Sequence, residues 1–247
     1  MTRGWLTAAG VLAYLLCLFA TLPATLVDTL LQRASDGRVR LAEARGTLWS
    51  GAGYLETRDT RRQTGIARKL AWDCAPGSLL RGHLVCAVEL AASPRRFGVT
   101  LFPTSISVAD ADLSVPAAML GLGLPKLAPW GLGGDLLLRI TDLAFRRSGV
   151  QGNATLEWRR ASSQHTAVSP FGSYEMRFTG TASGMTATLR TLDGPLNLEG
   201  SGAWANGASP AFNARAHVAP PQRQQLEPFL HMIAIERGAG NFEMQLK

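Results

Sequence analysis

Residue types able to act as nucleophiles, general bases or metal ligands are thinly spread along this chain. The four histidines, His83, His165, His217 and His231, fall on different expected elements, with no His-x-x-x-His or Glu-paired spacing to build a metal site. Gly121-Leu122-Gly123 and the run Gly131 to Gly134 have the composition of a phosphate cradle, but a strand pattern follows them instead of the helix such a cradle needs. Neither a Gly-x-Ser-x-Gly elbow nor a Ser-x-x-Lys pair is present. Asp110 and Asp112 stand two apart, on one face of an expected strand; that describes a solvated edge, and two carboxylates alone do not make a glycosidase. The sequence therefore names no catalytic residue, no cofactor-binding residue and no metal ligand. A non-enzymatic protein is expected.

Cysteine chemistry is more specific. Cys17 lies in an apolar run, which leaves Cys74 and Cys86 as the only pair in the remainder of the chain. In an oxidising compartment an even pair reads as a disulfide. The two residues end strand-like stretches joined by a loop with Pro76-Gly77, so their sulfurs are expected to face each other across adjacent strands. Two buried thiols, or a metal pair completed by His83, are the alternatives, and the second lacks the ligands of a closed zinc site.

Arginine supplies the remaining polar signal, in a chain of net charge +7. The candidate partner-binding residues are Arg61, Arg62, Arg95, Arg96, Arg146 and Arg147. Several flank expected strand ends, where they are placed to meet an acidic protein face or anionic lipid headgroups. Nucleic acid is not expected, because the part of the chain that bears them is expected to be exported.

That expectation comes from the run Gly4 to Leu22, GWLTAAGVLAYLLCLFATL, which holds no charged side chain. Roughly 19 residues of helix nearly cross a hydrocarbon core of about 30 Å. Arg3 precedes the run, which keeps the start of the chain cytoplasmic and sends the rest across. A signal peptide is the alternative, but the run is longer than usual for one and Leu22-Pro23 sits where cleavage would fall. The anchor residues are Trp5, Leu6, Val11, Leu12, Leu15, Leu16, Leu18 and Phe19, with Trp5 suited to the membrane interface.

Past Pro23, Ala24 to Arg33 reads as an amphipathic helix with Leu26, Leu30 and Leu31 on one face. From Val39 the apolar period becomes two, and after Arg45-Gly46 a second strand, TLWSGAGYLET, returns. Further strands are expected near Ile66–Asp73, His83–Ala91, Phe97–Pro103, Ser105–Val115, Asp135–Arg146, Gln151–Trp158, Gly172–Thr181, Met185–Thr191, Pro195–Trp204, Ala211–Val218 and Gly240–Leu246. Leu120 to Trp130 is too rich in Pro and Gly for a strand and reads as a connector. Pro221 to Glu236 reads as a helix, with Leu226, Phe229, Leu230 and Ile233 at helical spacing. A weak internal echo sets GTLWSGAGYLE, KLAWDC and GHLVCAVEL beside GDLLLRITDLAF, TLEWRR and GSYEMRFTG, each series carrying one central Trp, Trp72 or Trp158.

The expected fold is mainly β: a single N-terminal transmembrane helix, then a curved, mostly antiparallel sheet, built from a duplicated β unit if the echo is real, with a short helix near the C-terminus. The expected division is a stub and anchor over 1–24, a first β unit over 25–119, a connector over 120–134 and a second β unit with the helix over 135–247.

The order of motifs resembles a known family. Gly46-Thr-Leu-Trp-Ser-Gly51, the Leu-Pro-x-Leu-x-x-x-Gly-Leu-Gly-Gly stretch from Leu124 to Gly134, and Gly-Pro-Leu-x-Leu-x-Gly-x-Gly-x-Trp from Gly194 to Trp204 are similar to protein N of the type II (general) secretion pathway. Trp158-x-x-Ala161, Pro170 and Gly172-x-Tyr174 resemble the middle of that family. The likeness implies a single-pass bacterial inner-membrane protein with a cytoplasmic N-terminus and a periplasmic bulk. It would serve a machine that exports folded proteins, with a C-type inner-membrane component and the outer-membrane secretin as partners and no cofactor. A different function stays open beside it: a membrane-anchored β sheet with one uncovered apolar face can form a groove that carries lipid.

Overall fold

Strands form where period-two runs occur, because an alternating run can bury one side of a sheet and wet the other. The computed structural model describes all residues except 1, 38, 58–65, 121–126, 210, 232–234, 239–240 and 247, and the side chains of 2–8, 57, 66, 238, 241 and 244–246 are likewise outside the description. The chain divides into two units, Met1–Ala91 and Ala92–Lys247.

The first unit contains helices α1 (Thr2–Ala20) and α2 (Thr25–Ala34) and strands β1 (Val39–Gly46), β2 (Ser50–Thr57), β3 (Ile66–Ala75) and β4 (Leu84–Leu90). The strands pair antiparallel in chain order. One face carries Leu41, Leu55, Leu70, Trp72, Cys74, Cys86 and Val88; the other carries Glu56, Lys69, Asp73 and Glu89. Gly51 and Gly53 lie in this apolar face because the Trp72 ring and the Leu41 side chain occupy the space their own side chains would need. Cys74 stands directly opposite Cys86, and the two form a disulfide.

Helix α2 turns a different face to the sheet than its leucines suggest. Val27, Asp28, Leu31 and Gln32 are half-buried, whereas Leu26 and Leu30 point outward, 38% and 59% exposed. The reason is polar: Asp28 Oδ1 accepts the Leu41 N–H at 2.7 Å and Oδ2 accepts from Gln32 Nε2 at 2.6 Å. Those bonds hold the carboxyl of Asp28 below its ordinary range, with the Gln32 contact foremost. They also cap one outward N–H of the edge strand β1, which protects that edge against further pairing.

The second unit contains β5 (Phe97–Phe102), β6 (Ser105–Pro116), β7 (Leu132–Arg146), β8 (Gly149–Ser163), β9 (Gly172–Gly180), β10 (Gly184–Asp193), β11 (Leu196–Ala205), β12 (Phe212–Val218), helix α3 (Arg223–His231), β13 (Ile235–Gly238) and β14 (Asn241–Leu246). The strands form an antiparallel meander in chain order to β12, followed by β14 and then β13. The expected connector, 120–134, lies inside this unit: a 3₁₀ turn at Ala117–Met119 precedes it, 121–126 are outside the described residues, a second 3₁₀ turn covers Ala128–Trp130, and Leu132 to Gly134 already belong to β7.

Register separates the two faces completely in the centre of this sheet. Leu113, Leu138, Leu156, Met176, Leu189, Gly200 and Ala214 stand opposite one another in one row. The next row, on the other face, is Asp112, Arg139, Thr155, Arg177, Thr188, Ser201 and Asn213. Helix α3 seals one end of the apolar face: Leu226, Phe229 and Leu230 pack with Phe171, Leu196, Val218 and Phe242. At the other end Leu101, Ile106 and Phe145, again in one row, remain 38%, 46% and 44% exposed. The sheet curls, since the side chain of Asn206 in the β11–β12 turn abuts Gly149 in the β7–β8 turn, across strands that a flat sheet would hold about 14 Å apart.

The C-terminal helix is shorter than its sequence pattern suggests. It is described over Arg223–His231, Ile233 lies outside the described residues, and Ile235 and Glu236 belong to β13. Pairing along the outer edge of β14 satisfies a row of backbone donors and acceptors, and this outweighs helical periodicity in so short a segment.

The disulfide closes a loop with a sequence separation of 12. Replacing both Cys74 and Cys86 by Ser is expected to lower unfolding stability by about 3 kcal/mol through loop-closure entropy, read as a fall in the urea midpoint. An unchanged midpoint would remove the bridge from the stability of this unit.

Candidate functional site

The motif Gly46 to Gly51 is a clasp between the end of α1 and the first sheet. Thr47 closes a tight turn, its N–H donating to Ser50 O at 2.8 Å and its Oγ1 accepting from Ser50 N–H at 3.1 Å. Gly46 has φ +95, and a side chain there would collide with the backbone of Ser50 and Gly51. Leu48 N–H donates to Leu22 O at 2.7 Å, and Ala24 N–H to Gly46 O at 3.2 Å. The Trp49 indole N–H reaches Phe19 O in the last turn of α1 at 2.8 Å, and its ring lies 4.6 Å from that of Phe19. On the sheet side Trp49 O accepts from Cys74 N–H at 2.6 Å, and the Trp72 indole donates to Leu48 O at 3.1 Å. A helix end, a turn and the disulfide strand are thereby one hydrogen-bonded block.

Beyond the clasp, α1 is apolar on every described side and covered on none. Val11, Leu12, Leu15, Leu16 and Leu18 are each more than half exposed, and Phe19 is 43% exposed. The side chains of Trp5 and Leu6 lie outside the described residues. Among the described residues no helix is long and apolar enough to cross a membrane.

Among the described residues the expected arginine sites do not converge. Arg95 and Arg96 are exposed at the start of β5, while Arg146 and Arg147 are exposed beside the far end of the β5–β6 hairpin, with Arg146 opposite Ser105. Arg61 and Arg62 lie outside the described residues. Asp110 and Asp112 do not act as a pair: Asp110 sits at a backbone irregularity with φ 55, and Asp112 forms an ion pair with Arg139 at 3.2 Å.

Two clusters were missing from the sequence reading. On the polar face, the buried Glu175 accepts from Arg177 Nε at 2.6 Å and from Arg190 Nε and Nη2 at 2.8 and 3.1 Å. Arg190, then Arg177, holds its carboxyl below the ordinary range. Register reveals this network, since Arg190 stands opposite Glu175 across two strands. The second cluster leaves the histidines scattered but gives one of them, His231, the Glu partners that the sequence reading did not find. Glu227 and His231 of α3 meet Glu236 of β13, with potential ligand atoms all within 4.8 Å of one another. Spacing held a signal, because i and i+4 share a helix face. The His231–Glu236 contact is 3.6 Å and solvent-accessible, so an ion pair bracing helix against strand accounts for it.

The family-like motifs of the second unit meet around one core. Trp158 donates its indole N–H to Gly133 O at 2.9 Å and packs on Phe171 and Tyr174. The Tyr174 hydroxyl lies 3.0 Å from Leu196 O, and burial pushes its pKa upward. Gly194, φ +117, packs against the Gly172 backbone with no room for a side chain, and the Tyr174 ring and hydroxyl fill the space a side chain at Gly172 would need. Connector, central Trp and late Gly-Pro-Leu are thus parts of a single packing node.

A family model for type II secretion system, protein N, matches residues 37–245. The chain belongs to that family. No curated protein and no solved structure matches it. As a member of the family it is a type II secretion component.

Trp49→Phe keeps the ring and removes the N–H, and is expected to cost about 1 kcal/mol; Trp49→Ala, which also empties the site, about 3–5 kcal/mol. No loss from Trp49→Phe, by denaturant unfolding, would show that the hydrogen bond to Phe19 contributes nothing. Glu175 carries a testable pH signature. A carboxyl with a lowered folded pKa stabilises fully above its unfolded value, about 4.3, and that contribution vanishes as pH falls through the folded value. Glu175→Gln is therefore expected to destabilise by roughly 1–3 kcal/mol at neutral pH, and the gap to the unaltered protein should close in acid. A gap independent of pH would assign the loss to packing.

Proposed function

We propose that the protein is a non-enzymatic inner-membrane component of the type II secretion machine. Helix α1 serves as its single membrane anchor, and its periplasmic β units contact the C-type inner-membrane component and the outer-membrane secretin. The observation that carries this reading is the clasp. An apolar helix with uncovered side chains is fixed to the sheet by backbone bonds at Leu22 and Ala24 and by the Trp49 indole at Phe19. The sequence-level run Gly4 to Leu22 supplies the span. Family membership supplies the machine. Partner binding through main-chain addition is favoured at β13 over β1, because α2 caps β1 whereas β13 pairs on one side, with β14, among the described residues.

A second reading draws on the apolar face of the second unit. Its rows contain no charged side chain between Leu113 and Ala214, and its far end is open at Leu101, Ile106 and Phe145. Such a face suits a lipid chain.

In-cell photo-crosslinking from Ser105, Gln151 and Ile235 separates the two. Capture of the secretin or the C-type component is the expected result. Capture of phospholipid or lipopolysaccharide with no machine component would overturn the scaffold reading in favour of lipid carriage.

A further inference from the structure

The disulfide-closed loop between β3 and β4 stands at the same end of the first sheet as the clasp. Ser50 of β2 pairs with Asp73 of β3, so the start of β2, where Trp49 holds Phe19, and the end of β3, where the loop begins, are adjacent. Cys74 N–H bonds Trp49 O directly. The loop is a 3₁₀ turn, Pro76–Arg81, and it is braced internally. Ser78 Oγ donates to Ala75 O at 2.6 Å and accepts from Val85 N–H at 3.0 Å, Gly82 closes the turn with φ +77, and the Cys74–Cys86 bridge locks the base.

This rigid turn holds two leucines in the open. Leu79 is 41% exposed and Leu80 93%. A single exposed leucine is ordinary, but two adjacent ones on a braced loop, at the end of the sheet where the uncovered apolar helix is clasped, make an apolar tip. Its charge is one-sided: from Cys74 to Val88 the sequence has Arg81 and His83 and no carboxylate. A protein surface of mixed charge would find no carboxylate on this stretch to pair with its cations. A lipid surface matches both features, since leucines partition into the acyl boundary while a cation meets anionic headgroups.

We propose that the β3–β4 loop is a second membrane contact, a foot that seats Leu79 and Leu80 in the interface beside α1, with Arg81 at an anionic headgroup. The disulfide then has a purpose beyond stability, because a leucine pair on a floppy loop would collapse onto the sheet. The inference rests on α1 being a membrane anchor.

The test uses the full-length chain in nanodiscs with a diazirine-bearing amino acid in place of Leu16, of Leu80 or, as a control on the polar face, of Ala87. Lipid adducts are expected at Leu16 and Leu80 and not at Ala87. With phosphatidylglycerol present, Arg81→Gln should lower the Leu80 adduct about fivefold, the effect of one cation at an anionic surface, while leaving the adduct in pure phosphatidylcholine unchanged. Adducts at Leu16 without any at Leu80 would overturn the foot and leave the anchor standing. Adducts at neither position would overturn the anchor reading and the foot together. An Arg81→Gln effect equal in both lipids would overturn the headgroup contact. Because Leu80 touches solvent on nearly every side, its replacement leaves the core intact.

Discussion

Burial of one side of each strand governs this fold, and a strand can obey it only while its residues keep strict alternation. Several strands here do not. In β6 the inward residues are Ile106 and Val108, then Ala111, Leu113 and Val115; in β7 they are Leu136, Leu138 and Ile140, then Leu143 and Phe145. Each series changes parity midway, which would turn half its side chains to water. The irregularities at Asp110 and around Thr141 absorb the odd residue and restore the face. Arg160 and Gly134 do the same near the start of β7 and the end of β8, and Glu43 does so in β1. Left-handed backbone at Glu43, Asp110 and Arg160 costs free energy, and the face it preserves offsets that cost.

The same logic explains why so much of the strand pattern was legible in the sequence and why particular details were not. Alternation located nearly every strand, and the Cys74–Cys86 pairing followed from two strand ends and a short loop. Parity changes were visible too, as Ser-Ile-Ser-Val giving way to Ala-Asp-Leu-Ser-Val, but without a partner strand they look like noise. Strand β13 was hidden because its stabilising term is long-range pairing with β14, while its local pattern continues a helix. The inward face of α2 was misread for a related reason. Counting leucines picks Leu26, Leu30 and Leu31, of which only Leu31 is half-buried, because the helix is oriented by Asp28, whose partner Leu41 lies 13 residues away.

The internal echo gains a physical meaning in the two central tryptophans. Trp72 donates its indole N–H to Leu48 O, just before β2, and Trp158 donates to Gly133 O, at the start of β7. Each stitches its strand to the beginning of the preceding one, and in the first case Gly51 leaves room for the ring. The candidate site itself was less legible than the fold. The motif Gly-Thr-Leu-Trp-Ser-Gly identifies a family at sight, but nothing in its spacing says that its tryptophan reaches back 30 residues to Phe19.

That reach decides what the helix can do mechanically. A helix joined to a domain by a free linker sets only the distance between them, and each linker residue left unfixed retains about 1–2 kcal/mol of conformational freedom. Here the linker from Thr21 to Ala24 is held by the Leu48 and Ala24 amides, and the ring of Trp49 covers the last helical turn. Orientation is therefore transmitted along with position. A sheet fixed in this way presents the β3–β4 loop and the outer surface of α2, with Leu26 and Leu30, in a constant relation to the helix axis. Anything that seats α1 also seats those surfaces, and the clasp is what makes a helix and a sheet act as one oriented body.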